Sequence, residues 1–126
     1  MPTKLILSSS AILLAFAGTI LIFAPIEIAS WMGWPNETAS LIQIVGSLYF
    51  GFAMINWMSK ANLIGGIYNR PIAVGNLTHF FIAALSLIKI PDKTLVIYCI
   101  TAVYSIYAFS FGLILFTHPI KESKTE

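Results

Sequence analysis

The chain has 126 residues, of which 58% are hydrophobic and 10% are charged, and its formal net charge is +2. A typical soluble domain is about a quarter charged, and a small soluble fold buries too little of its area to hide this much apolar surface. The composition therefore predicts a single domain that lies in a membrane, and the small, scattered positive charge excludes a nucleic-acid partner.

Four apolar stretches follow one another along the chain, at residues 5–24, 38–58, 71–90 and 94–116. Each is about 20 residues long and, at 1.5 Å per residue, crosses a hydrocarbon core about 30 Å thick. The first stretch starts like a signal peptide, but its apolar run is too long for a signal core and predicts a span. We therefore expect an all-α fold, in which four transmembrane helices form one integral membrane domain of residues 1–126.

Proline and short polar residues separate the four stretches. Pro25 is expected to end the first helix, and Asn36 to cap the second by accepting a hydrogen bond from its first turn. Pro71 lies where a third helix would start, a position that tolerates its missing N–H group. Asp92 is expected to cap the fourth helix. The short loops on either side predict an up-down order of helices.

The link between the first two helices contains two tryptophans. Residues 26–34 include Trp31 and Trp34. Tryptophan favours the headgroup region of a bilayer, so this segment is predicted to lie along the outer interface.

Basic residues predict the orientation, because lysine and arginine accumulate on the cytoplasmic side of membrane proteins. If the N-terminus is cytoplasmic, that side holds five of the seven basic residues, and the opposite side holds Lys89 and Lys93. The five are Lys4, Lys60, Arg70, Lys121 and Lys124. We therefore predict an N-in, C-in topology.

Small and polar residues recur at spacings of three and four, which places them on one face of each helix. Such faces let membrane helices approach closely and form hydrogen bonds across the contact. These packing faces include Ala11, Gly18, Gln43, Gly46, Phe50, Ala53, Trp57, Tyr98, Ser105, Ala108 and Gly112. Gln43 is expected to donate an interhelical hydrogen bond. The pairs Ser47–Gly51 and Ala108–Gly112 are candidates for a contact between subunits instead.

Polar residues that are unfavourable in a membrane concentrate at one end of the second and third helices. These helices are adjacent and antiparallel, so the residues occupy the same half of the bilayer. Ionisable residues inside membranes often mark a ligand or proton path, and an arginine at a helix start suits an anionic group such as a lipid phosphate. The residues expected to line or rim such a ligand-binding pocket are Asn56, Trp57, Lys60, Arg70, Asn76 and His79.

The same residues also fit a purely structural interpretation. An amide–histidine hydrogen bond would hold the second and third helices together, and Lys60 and Arg70 would act as topology anchors. Tyr104 and Tyr107 lie at mid-membrane depth, where packing is the expected role and their hydroxyls need partners. The sequence leaves a ligand pocket and a structural cluster as alternatives.

Catalytic chemistry has little support in the sequence. The single cysteine, Cys99, excludes an intramolecular disulfide, and none of the four stretches carries an acidic residue in its core. No nucleophile–base pair or metal-ligand cluster is evident, so neither a catalytic residue nor a cofactor is predicted.

The segment from residue 48 to residue 89 carries a resemblance. Its elements are Asn56-Trp57, Gly65-Gly66-Ile67-Tyr68, Arg70-Pro71 and Gly75-Asn76 followed by His79. In these elements it resembles bacterial four-helix membrane proteins of the DoxX-like type. The resemblance implies a bacterial inner-membrane protein with four helices and carries no catalytic residue over to this chain.

Two functions remain open after this comparison. The first is a non-enzymatic binding or accessory protein that associates with membrane lipids or another amphiphile, with a homo-oligomer expected. The alternative is a small oligomeric channel or transporter whose path is lined by Asn56, Asn76 and His79. Small multidrug exporters are excluded because the first helix lacks their carboxylate, and fluoride channels are disfavoured because their arginine-bearing, glycine-rich opening is missing.

Overall fold

The computed structural model describes residues 2–60 and 70–117. In this part of the chain all regular structure is helical, with no strand. The helices are α1 (Pro2–Phe23), α2 (Pro25–Met32), a 3₁₀ turn (Asn36–Thr38), α3 (Ala39–Ser59), α4 (Arg70–Ile88) and α5 (Leu95–Thr117). The all-α prediction is confirmed for these residues.

Four of the helices, α1, α3, α4 and α5, are long and apolar enough to cross a membrane. They correspond to the four predicted stretches, and their ends differ from the predicted ones by at most three residues. This confirms the four-helix membrane character of the chain. The up-down order of the spans and the N-in, C-in orientation stay predictions.

The link between α1 and α3 differs from the prediction at both ends. Pro25 does more than end α1, because it begins the new helix α2 directly after Ala24. Asn36 does not cap α3 and instead lies inside the 3₁₀ turn, after which α3 begins at Ala39 without a side-chain cap. The hydroxyl of Thr38 donates to the carbonyl oxygen of Pro35 at 2.7 Å, so the turn is stabilised from within.

The start of α5 also corrects a prediction. Asp92 is too far from the helix to cap it, because α5 begins at Leu95. Thr94 takes that role: its hydroxyl oxygen accepts a hydrogen bond from the N–H of Ile97 at 3.3 Å. Threonine is a favourable residue at this position, since its side chain satisfies an N–H group that the helix leaves open.

Helix α2 ends in a glycine with a left-handed backbone. Gly33 has φ 76°, and its N–H donates to the carbonyl oxygen of Ser30 at 3.1 Å. The N–H of Trp34 donates back to Ala29 at 2.8 Å, which closes the helix end. Ala29 is buried, whereas Trp31 and Trp34 are exposed, and the position of this segment at the membrane interface stays a prediction.

The chain divides into two compact units. One contains residues 7–60, and the other contains residues 61–126 together with the first six residues. The first unit is built on α1, α2 and α3, and the second on α4 and α5. The interpretation of the whole chain as one domain stays a prediction.

In the first unit, α1 and α3 form an antiparallel pair. Near one end Ser10 contacts Asn56, and in the middle the backbones of Gly18 and Gly46 come together. Near the other end the side-chain amide of Gln43 donates to the carbonyl oxygen of Ile22 at 3.1 Å. The predicted interhelical hydrogen bond of Gln43 is therefore confirmed.

In the second unit, α4 and α5 form an antiparallel hairpin. Its core is an aromatic cluster around Phe80, which is fully buried and stacks on Tyr107 and Phe111 with ring centroids 5.0 and 5.8 Å away. Tyr104 meets the same ring edge-on at 5.0 Å. The packing role predicted for the two tyrosines agrees with these contacts.

The packing faces were predicted with mixed success. Ala11, Gly18, Gly46, Ala53 and Ala108 are buried as expected. Phe50, Trp57 and Tyr98 have the same spacing but are exposed. Spacing alone misplaces them because a large side chain at the edge of a helix face turns outward where a small one stays in the contact.

Candidate functional site

The six residues predicted to form a pocket are divided between the two units. Asn56, Trp57 and Lys60 lie at the end of α3 in the first unit. Arg70, Asn76 and His79 belong to α4 in the second unit, and residues 61–69, which include Gly65 and Gly66, lie outside the described residues. The pocket that would combine the two groups therefore stays a prediction.

Asn56 is fully buried in the first unit and has a definite partner there. Its side-chain amide donates to the hydroxyl of Ser10 at 3.0 Å, and this hydroxyl donates in turn to the carbonyl oxygen of Leu7 at 3.0 Å. Sequence reasoning missed Ser10, because the packing face chosen for the first helix ran through Ala11 and Gly18. The buried Leu7, Ser10 and Leu14 form the neighbouring row at the same spacing.

Trp57 and Lys60 form a pair at the end of α3. The ammonium nitrogen of Lys60 lies 2.9 Å from the centroid of the Trp57 ring, which is close enough for a cation–π interaction. Trp57 is 45% exposed. A long basic side chain next to a tryptophan is typical of a helix end at a membrane surface, where the apolar parts stay in the lipid and the charge reaches water.

Asn76 and His79 lie one turn apart in α4. Asn76 is fully buried, and its side-chain amide donates to the carbonyl oxygen of Ile72 in its own helix at 2.9 Å. His79 is half-buried, and its ring centroid lies 4.9 Å from that of Phe80 and 5.7 Å from that of Tyr104. The imidazole therefore borders the aromatic cluster of the hairpin.

A groove runs along another face of the same hairpin. It has a volume of about 520 Å³, which is within the range of about 300–1,000 Å³ for small-molecule sites. Its wall on α4 consists of Leu77, Phe81, Ala84, Leu85 and Ile88. Between Leu77 and Ile88 this wall extends over about 16 Å.

The opposite wall belongs to α5 and is formed by Ser105, Ala108, Phe109, Gly112, Leu113 and Phe116. The small residues Ala84 and Ala108 are buried on the floor, whereas Phe109 and Phe116 are 68% and 78% exposed at the rim. The lining is almost wholly apolar. Small residues thus form the floor of a slot whose rims carry exposed phenylalanines.

Sequence reasoning did not identify this groove. Its signal was present in the spacing of Ser105, Ala108 and Gly112, which was assigned to helix packing or to a contact between subunits. A Cβ atom on Gly112 would lie 3.7 Å from the side chain of Leu77, which is ordinary contact distance, so the two helices are close at this point. The groove needs small residues on both adjacent helices, and the row of small residues on α5 does not form it alone.

Arg70 lies on the face of α4 that forms this groove. It precedes Leu77, Phe81 and Ile88 by 7, 11 and 18 residues, which are close to two, three and five full helical turns. Arg70 is exposed, and side chains on a helix lean toward its N-terminus. Of the three predicted site residues on α4, Arg70 is thus the one on the groove face, about 10 Å along the helix before the first lining residue, Leu77.

Metal binding finds no support in the described residues, among which no group of three His, Cys, Asp or Glu side chains could hold an ion. No family model, curated protein or solved structure matches the chain. The resemblance to DoxX-like proteins therefore stays a prediction from the sequence.

Proposed function

We propose that this integral membrane protein is a non-enzymatic binding or accessory protein that holds the hydrocarbon part of a lipid or another amphiphile. The observation that carries the proposal is the apolar groove between α4 and α5. The four helices that are apolar enough to cross a membrane agree with an amphiphile as the ligand.

The shape of the groove supports a chain-like ligand. Its floor is made of small side chains, and its rims are made of exposed phenylalanine and leucine side chains. In a bilayer there is little hydrophobic force between apolar surfaces, so selective occupancy depends on van der Waals contact. An acyl chain that lies in the groove contacts both walls and the floor, whereas an acyl chain on a convex helix surface contacts the protein on one side only.

The polar residues at the ends of α3 and α4 enter the proposal as contacts for the polar part of the amphiphile. Trp57, Lys60 and Arg70 are half-buried or exposed and have the chemistry of a membrane surface. The alternative function, a channel or transporter path along Asn56, Asn76 and His79, stays a prediction from the sequence.

Filling the groove tests the proposal. In nanodiscs that contain phosphatidylcholine with a photoreactive acyl chain, we expect stronger labelling of α4 and α5 at the groove than of the exposed face of α3. Gly112→Leu places a side chain in the slot and should reduce the labelling to the level of α3. The matched control is Gly51→Leu, because Gly51 is exposed and a Cβ atom there meets nothing within 4 Å.

Two results would contradict the proposal. One is a wild-type groove labelled no more than the exposed face of α3. The other is a groove whose labelling is the same in Gly112→Leu and Gly51→Leu.

A further inference from the structure

The groove has chemically different ends, and this difference bears on the kind of amphiphile that it holds. The α5 wall runs from Ser105 to Phe116, and Gly112 lies opposite Leu77. By helical rise, Phe116 is therefore level with the turn of α4 that contains Ala73, about 5 Å along the axis from Arg70. The α5 wall of the groove thus ends within about one helical turn of the level of Arg70, which carries a guanidinium group.

At the other end the basic residues are less well placed. Lys89 is exposed, but it lies about 100° from the middle of the groove face, one turn beyond Leu85 at its edge. The ammonium group of Lys93 donates to the carbonyl oxygen of Ile90 at 2.8 Å, and Asp92 precedes it with an opposite charge. At this end the α5 wall stops at Ser105, which is level with Ala84, about 6 Å before the α4 wall ends at Ile88.

From this asymmetry, and resting on the proposed function, we propose that the occupant is an anionic phospholipid whose acyl chain lies in the groove and whose headgroup contacts Arg70. A guanidinium group offers several N–H donors in a planar fork that matches phosphate oxygens. Its exposed position at the start of α4 puts these donors at the membrane surface, where a phosphate resides. The hydrocarbon slot and the positive charge match the two parts of one lipid molecule.

The predicted orientation agrees with this choice of lipid. With the N-terminus in the cytoplasm, Arg70 is at the cytoplasmic surface. Anionic lipids give that leaflet a negative surface potential, and each basic residue near it adds about 1 kcal/mol of attraction, equivalent to about fivefold in binding.

A photo-crosslinker inside the groove identifies the occupant directly. Phe109→p-benzoylphenylalanine places the reactive ketone on the rim, and the protein is irradiated in nanodiscs of equal phosphatidylglycerol and phosphatidylcholine. The masses of the adducts then report which lipid was bound. The same crosslinker at Leu48, an exposed position of α3, measures the general preference of the protein surface for each lipid.

We expect phosphatidylglycerol adducts at Phe109 to exceed phosphatidylcholine adducts by about fivefold relative to Leu48. Arg70→Gln should remove this preference, while Lys93→Gln, which removes the same charge at the other end of the hairpin, should keep it. If the two lipids form equal amounts of adduct at Phe109, and neither variant changes these amounts, the assignment of the headgroup to Arg70 is overturned. The proposed function would still stand. A crosslink to a second copy of the chain, in place of lipid, would overturn both.

Discussion

Gly18 and Gly46 face each other where α1 crosses α3. A Cβ atom on Gly18 would lie 2.9 Å from the carbonyl oxygen of Gly46, and one on Gly46 would lie 3.0 Å from the carbonyl oxygen of Gly18. Both obstructing atoms belong to the backbone, so no side-chain rotation relieves the contact. The two glycines therefore set the distance between the helices, as small residues do in membrane proteins.

Replacing Gly18 by alanine should weaken this pair. The added methyl group forces α1 and α3 apart, and we expect the free energy of unfolding to fall by about 1–3 kcal/mol. The control is Gly51→Ala, whose methyl group meets open space and which should stabilise α3 by up to about 1 kcal/mol through helix propensity. Unfolding in mixed detergent, followed by circular dichroism, measures both. Equal changes in the two variants would contradict the close contact.

The hydrogen bond between Asn56 and Ser10 should appear as a coupling energy. We expect a double-mutant cycle of Asn56→Ala and Ser10→Ala to give about 0.6 kcal/mol, the average for such pairs in membrane proteins. The same unfolding assay measures the cycle. A coupling energy of zero would show that the two side chains contribute independently to stability.

Gly33 should resist substitution because of its backbone alone. Its φ of 76° is unfavourable for a residue with a Cβ atom, although a Cβ atom there would meet nothing within 4 Å. Gly33→Ala should lower the free energy of unfolding by about 1–2 kcal/mol. Gly33→Asn should cost less, since asparagine tolerates the left-handed region. The opposite order of the two variants would argue against strain as the cause.

Adjacent phenylalanines in α4 should respond differently to truncation. Phe80 is fully buried in the aromatic cluster, whereas Phe81 is half-exposed on the rim of the groove. We expect Phe80→Ala to lower the free energy of unfolding by up to about 3 kcal/mol, the lower end for buried phenylalanine, because lipid replaces part of the lost contact. Phe81→Ala should change it by less than about 1 kcal/mol. Thermal unfolding in detergent compares the two.

Cysteine labelling tests the predicted orientation. In a Cys99→Ser background, Glu37→Cys introduces a thiol in the exposed 3₁₀ turn, and Lys4→Cys introduces one near the exposed start of α1. With the N-terminus in the cytoplasm, a membrane-impermeant maleimide should label Glu37→Cys in intact cells. Lys4→Cys should react only after permeabilisation. The reverse pattern would establish the opposite topology.

The spans could be predicted from the sequence because lipid imposes a length and a composition on any helix that crosses it. Helix ends were less predictable. Asn36 and Asp92 are both favourable cap residues by type, yet each lies three residues before the first residue of its long helix. Thr94 caps α5 instead, because the position of the first helical residue is set by how the hairpin packs, and propensity is a weak influence beside packing.

The candidate site was predictable only in part. Single polar residues such as Asn56 and Asn76 stand out in an apolar stretch, but their hydrogen-bond partners depend on which helices meet and in which register. The groove depends on a match between two helices, because Ala84 on one and Ala108 on the other both line it. No pattern within one helix contains that relationship, so the groove was not visible in the sequence.

The first compact unit is continuous in sequence, from residue 7 to residue 60. All the contacts between α1 and α3 therefore join residues that are made before α4, and chains fold N-terminal parts first as they emerge. The glycine crossing and the bond from Asn56 to Ser10 can form before α4 has left the ribosome. The fold is therefore compatible with insertion in two steps, in which the helix pair of α1 and α3 forms before the second hairpin enters the bilayer.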